Sequence, residues 1–111
     1  MAETVCDCGA IRIVLAQAPQ QIFDCQCSFC QKKGVLWAYF AVDQVQIVAA
    51  ETATTPYLRG PGLSEFHTCR TCGCTTHWRP TDGRNEMGVN ARLLEPQVRR
   101  AAQVVIDPGP D

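Results

Sequence analysis

Eight cysteines carry the chemistry in this chain, and they fall into three clusters with none left over. Cys69-Arg70-Thr71-Cys72-Gly73-Cys74 packs three thiols into six residues, at CxxC and CxC spacing. Cys6 and Cys8 form a second CxC, and Cys25, Cys27 and Cys30 form a CxCxxC. Thiols this closely spaced are metal ligands or redox partners. Two tetrahedral thiolate zinc sites take eight sulfurs, the number present.

In an extended segment, residues two apart point to the same side, so Cys6 and Cys8 can both reach one metal. Spacing alone leaves open which clusters share an ion. The simplest division places Cys6, Cys8, Cys69 and Cys72 around one zinc. Such a clip spans about 60 residues, which gives it a large loop-closure benefit. Four sulfurs fill the coordination sphere, so this site is expected to be structural. The second site takes Cys25, Cys27 and Cys30, and three protein ligands beside an open position make the catalytic pattern. Cys74 is the candidate fourth ligand there. If it binds, the site is closed; if a water or a substrate thiol binds instead, the metal can act as a Lewis acid. An iron–sulfur cluster uses the same ligand type and is the alternative metal.

Lys32 and Lys33 follow the middle cluster. Their charge would favour ionised sulfur and attract an anionic substrate, although a solvated pair is the plainer reading. His67 and His77 flank the last cluster. Because the thiols already suffice in number, packing or hydrogen bonding is the simpler role for both. Lys32 and His77 remain the candidates for stabilising an alkoxide or moving a proton.

These clusters need a scaffold, and the rest of the chain supplies strands. The segments 10–16, 21–24, 35–42, 45–50, 63–68, 75–80, 86–90 and 104–106 read as strands from their β-branched and aromatic content. Thr81-Asp82-Gly83-Arg84 is a hairpin signal, and Pro96 is suited to starting a short helix. Thr52–Pro56 reads as loop, Gln31–Gly34 as a loop or helical turn, and Asp107–Asp111 as a frayed tail. The expectation is one mainly β domain over residues 1–111, pinned by two zinc ions.

The net charge is −1, from 10 basic and 11 acidic residues. No basic run is present to neutralise phosphates, which argues against nucleic acid as a partner. No stretch approaches the roughly 18 apolar residues of a membrane helix. The first residues lack the features of a signal peptide, so a cytoplasmic location is expected. Disulfides are rare in that compartment, which favours metal over a disulfide framework.

Taken together, CxCG, CxCSxC, FHTCRTCGCTTHW and MGVNARLLEP resemble the glutathione-dependent formaldehyde-activating enzyme family, whose domain centromere protein V shares. The resemblance runs from about residue 5 to residue 96. It implies the β-tent fold of the Rab accessory, MSS-type proteins. It also implies a structural zinc on Cys6, Cys8, Cys69 and Cys72, and an active-site zinc on Cys25, Cys27 and Cys30. The implied activity is that of a carbon–sulfur lyase, interconverting formaldehyde plus glutathione with S-hydroxymethylglutathione. The implied partners are a glutathione-like thiol and an aldehyde. Two readings from other classes stand beside it: a non-enzymatic zinc domain that binds a protein partner, and a thiol-redox protein using Cys72 and Cys74.

Overall fold

The computed structural model describes residues 1–109. Ten strands form two sheets. A three-stranded sheet runs β1 (Ala2–Val5), β2 (Arg12–Leu15) and β5 (Val45–Val48), in that order. The seven-stranded sheet has the order β10-β3-β4-β9-β8-β7-β6. Its strands are β3 (Gln21–Cys25), β4 (Trp37–Phe40), β6 (Thr54–Leu58), β7 (Ser64–Cys69), β8 (Thr75–Pro80), β9 (Met87–Asn90) and β10 (Gln103–Asp107). Every pairing is antiparallel except that of β10 with β3. The described residues also form two short α-helices, α1 (Ser28–Lys33) and α2 (Pro96–Ala101), and two single-turn 3-10 helices, Val42–Gln44 and Ala91–Leu93.

Strand alternation divides the buried side chains into two clusters. Ile13 and Leu15 of β2 pack with Ala38 and Phe40 of β4 and Val89 of β9, filling the space between the sheets. Trp37 and Trp78 point to the opposite face of the large sheet. There they meet Cys25, Cys27, Phe29 and Cys30, with Tyr39 and Phe66 packed alongside. The second face can lie this flat because Gly88 has no side chain. A β-carbon at Gly88 would stand 2.1 Å from Trp78 Nε1, so the indole rests on bare backbone.

The mainly β architecture agrees with the reading from sequence, and local differences have local causes. Thr54–Leu58 is a strand despite Pro56, because β6 is the sheet's outer strand and proline is tolerated at an edge. Ala2–Val5 pairs with β2 although its four residues carry too little pattern to be recognised. The expected turn at Gln31–Gly34 is the end of α1. Gly34 adopts a left-handed conformation there (φ 67°) and donates to the carbonyls of Cys30 and Gln31. The tail expected to fray continues β10, and Asp107–Gly109 lies against the middle cysteine cluster; Pro110 and Asp111 fall outside the described residues.

Candidate metal centres

Three of the four sulfurs in the first group come from loops. Cys6 and Cys8 lie in the turn after β1, and Cys72 in the turn after β7, whose last residue is Cys69. Their sulfurs lie within 4.8 Å of one another. Cys6 Sγ is 3.7 Å from Cys8 Sγ and 3.9 Å from Cys69 Sγ, and Cys8 Sγ is 3.6 Å from Cys69 Sγ. A tetrahedron with zinc–sulfur bonds of about 2.3 Å has edges of about 3.8 Å. A disulfide would need about 2.05 Å. The donor set and its spacing therefore fit a zinc ion.

Backbone amides turn toward these sulfurs. The N–H of Ile11 donates to Cys6 Sγ at 3.3 Å. The N–H groups of Cys74 and Cys8 pull the Cys72 thiol down to about 6, against its burial. The N–H of Cys72, joined by that of Thr71, holds Cys69 below the usual thiol range. Fixed dipoles of this kind favour the thiolate form that a metal ligand requires.

In the second group, Cys25 ends β3, Cys27 caps α1 and Cys30 lies within it; all three are buried. Their sulfurs also lie within 4.8 Å of one another. The N–H of Cys30 donates to Cys27 Sγ at 3.4 Å, so a single thiol both caps the helix and faces the cluster. Trp37 Nε1 donates to Cys30 Sγ at 3.2 Å. Burial pushes the Cys30 thiol up, with the Trp37 N–H opposing it. Burial also acts to raise Cys27, but the N–H of Cys30 and the neighbouring thiols of Cys30 and Cys25, with the charge of Arg59 adding to them, bring the thiol below its ordinary value.

Cys74 lies beside the first group. It packs beside Cys72 against the core between the sheets, with Asp7, Cys72 and Cys6 as its electrostatic neighbours. The reason is local. Cys69 N–H donates to the Cys74 carbonyl at 2.8 Å, and Gly73 N–H to the Cys69 carbonyl at 3.0 Å, so the turn keeps residues 69–74 together. Cys74, expected as a fourth ligand to Cys25, Cys27 and Cys30, packs instead with the core that holds Cys6 and Cys69. Among the described residues, the second group contains three ligating side chains.

His77 and Lys32, the candidates for handling a proton, lie on other faces. Trp78 faces the Cys25–Cys30 cluster, so its neighbour His77 projects from the opposite face of β8, where it is buried. Lys32 is exposed on α1, two residues past Cys30. At 3.6 residues per turn, that offset rotates its side chain to nearly the opposite side of the helix.

The cation that approaches the triad is Arg59, which follows β6. Its Nη1 lies 3.9 Å from Cys27 Sγ, its Nη2 donates to Ser28 Oγ at 3.3 Å, and its guanidinium stands 5.3 Å from the centre of the Phe29 ring. Nothing in the local sequence marks this arginine, since 32 positions separate it from Cys27. The tail also reaches the site. Gln26 N–H donates to the Asp107 carbonyl at 2.7 Å. A β-carbon on Gly109 (φ 78°) would stand 2.9 Å from Cys27 Cβ and 3.1 Å from Cys25 Sγ. Only glycine permits so close an approach in that conformation.

The chain is similar in fold to a crystal structure of a Rhodobacter sphaeroides protein. The TM-score is 0.75 and the sequence identity 28%, and the match covers 93% of this chain and 99% of that one. Residues 1–106 match the family described as glutathione-dependent formaldehyde-activating enzyme. With cysteine groups able to hold metal in the order 6–8, 25–30 and 69–72, and a match across nearly its whole length, the chain belongs to the glutathione-dependent formaldehyde-activating enzyme family.

Proposed function

We propose that the protein is a zinc-dependent carbon–sulfur lyase acting on the adduct of a glutathione-like thiol and an aldehyde. One observation carries this reading. The buried group Cys25, Cys27 and Cys30 holds three sulfurs within 4.8 Å of one another, with no fourth ligating side chain among the described residues. Cys6, Cys8, Cys69 and Cys72 form the four-sulfur counterpart, which suits a structural role.

In the forward direction, the substrate sulfur bonds to the carbonyl carbon and the thiol proton ends on the former carbonyl oxygen. The reverse breaks that carbon–sulfur bond and returns the proton. Zinc held by Cys25, Cys27 and Cys30 would supply a lowered thiol pKa. The chain supplies the surroundings. Phe29, Trp37 and Trp78 keep the triad dry, which strengthens electrostatic interactions beside it. Trp37 donates to Cys30 and so fixes one ligand's orientation. Arg59 brings positive charge to where negative charge gathers. Tyr39 packs against the same cluster, and burial, together with the Asp107 carboxylate, pushes its hydroxyl pKa up. It therefore stays protonated and can donate to an oxyanion.

The test is to load the protein with zinc, supply formaldehyde and glutathione, and follow adduct exchange by NMR. Acceleration over the spontaneous reaction, lost in Cys27→Ser, supports the reading; a spontaneous rate with two zinc ions bound overturns it. A non-enzymatic zinc domain is the second reading, and the closeness of Gly109 to Cys25 favours it by narrowing access. It predicts full zinc loading with no turnover.

A further inference from the structure

On the face of β7 and β8 opposite the Cys25–Cys30 group, the rings of His67 and His77 stack. Their centroids are 4.5 Å apart and their planes lie within 7° of parallel. Both nitrogens of His67 are engaged: Nδ1 with Thr54 Oγ1 at 2.7 Å, and Nε2 with Glu65 Oε1 at 2.6 Å. His77 differs. Its Nδ1 lies 2.8 Å from Thr76 Oγ1, and that hydroxyl gives its own hydrogen to the His67 carbonyl at 3.3 Å. The hydroxyl can then only accept from His77 Nδ1–H. Nε2 is left as the unprotonated nitrogen, with its lone pair unused.

His77 is 2% exposed, yet among the described residues no sealed side-chain nitrogen or oxygen lacks a partner. Nε2 has none among the described residues, so it is not sealed. It opens into a cavity of about 380 Å³ that His77 lines together with Ile47, Glu51, Glu65 and Arg79. Burial, with the charges of His67 and Arg79, drives the His77 pKa down to about 3, so the ring keeps that lone pair at neutral pH. Arg79 projects from the same face as His77, two residues on, about 6.6 Å along the strand. The lining thus offers an acceptor in His77, the carboxylate of Glu51 and the guanidinium of Arg79, while Glu65, the cross-strand partner of Arg79, is already bonded to His67.

We infer that this cavity binds a small zwitterion of the α-amino acid class. The ammonium donates to His77 Nε2 beside Glu51, and the carboxylate meets Arg79. A free amino acid has its two charged groups close enough together to bridge that span. The site is separate from the Cys25–Cys30 group, since Trp78 and His77 face opposite ways.

The probe is L-alanine, added to the zinc-loaded, ¹⁵N-labelled protein, with acetate and methylammonium as half-molecule controls. Saturable shifts of the His77 ring nitrogens and of the amides of residues 76–79 are expected, at millimolar affinity. Amides of residues 25–30 should stay in place. Arg79→Gln, an exposed substitution that leaves the core untouched, should weaken binding about tenfold, and His77→Gln similarly. The inference is overturned by absence of a saturable shift, by equal shifts with acetate or methylammonium alone, or by wild-type affinity in Arg79→Gln. It is also overturned if a third equivalent of zinc, and not L-alanine, perturbs His77.

Discussion

The indole N–H of Trp37 points at the sulfur of Cys30, 3.2 Å away, from the strand that follows the helix carrying that cysteine. Both residues are buried, so the bond is made out of water, where a donor to a thiolate has its largest effect. Removing it while keeping an aromatic ring isolates that effect. Trp37→Phe should lower zinc affinity at the Cys25–Cys30 group by roughly 10–100-fold, the usual cost of losing a hydrogen bond to a ligand. Competition with a chromogenic chelator measures it, and affinity at the Cys6–Cys72 group should not change.

The two cysteine groups should fail differently. Cys6 and Cys8 tie the start of the chain to Cys69 and Cys72, whereas Cys25, Cys27 and Cys30 lie within six consecutive residues. Only the first tie closes a long loop. Cys8→Ser should therefore unfold or broadly loosen the domain, seen as lost amide-exchange protection in β1, β2 and β7. Cys25→Ser should retain the fold and one zinc, with metal content falling from two ions to one. The reverse pattern would exchange the roles assigned to the two groups.

Gly88 tests the packing behind the triad. Its β-carbon would meet the Trp78 indole at 2.1–2.9 Å, and that indole is buried among Cys25, Cys27 and Cys30. The ring cannot move aside without disturbing those neighbours. Gly88→Ala should cost about 1–3 kcal/mol, the range for overpacking a filled core. Urea unfolding of the zinc-loaded protein reads the loss directly. Stability equal to wild type would mean that the indole can be displaced freely.

His77 should make stability depend on pH. The unfolded chain binds a proton at this ring below about pH 6.5. Burial, with the charges of His67 and Arg79 adding to it, lowers the folded value to about 3. Between those limits the unfolded state holds the extra proton, so stability falls as the pH is lowered from about 6.5 to 3. His77→Gln lacks that proton and should show a shallower loss over the same window. Because acid also releases zinc from thiolates, the difference between the two proteins is the informative quantity.

Residue type and near-neighbour spacing determined the chemistry of this chain. CxC and CxxC put sulfurs side by side whatever the rest of the molecule does, and β-rich segments between them leave room for little but sheets. The same locality explains why residues 69–74 and the middle cluster were legible as units, and why the family resemblance could be read from them. What lay beyond reach were relations set by distant chain segments. Cys74 was a candidate for the middle cluster on paper; the turn around Gly73 keeps it beside Cys72. His77 sat one residue from Trp78, and the strand pleat sent the two to opposite faces. Arg59 and Gly109 reach Cys27 from 32 and 82 positions away, brought there by β6 and by the parallel pairing of β10 with β3. Local sequence encodes what a segment can do, but which side chains meet across a sheet depends on strand order and register. Those are settled only when the whole chain buries its apolar faces together.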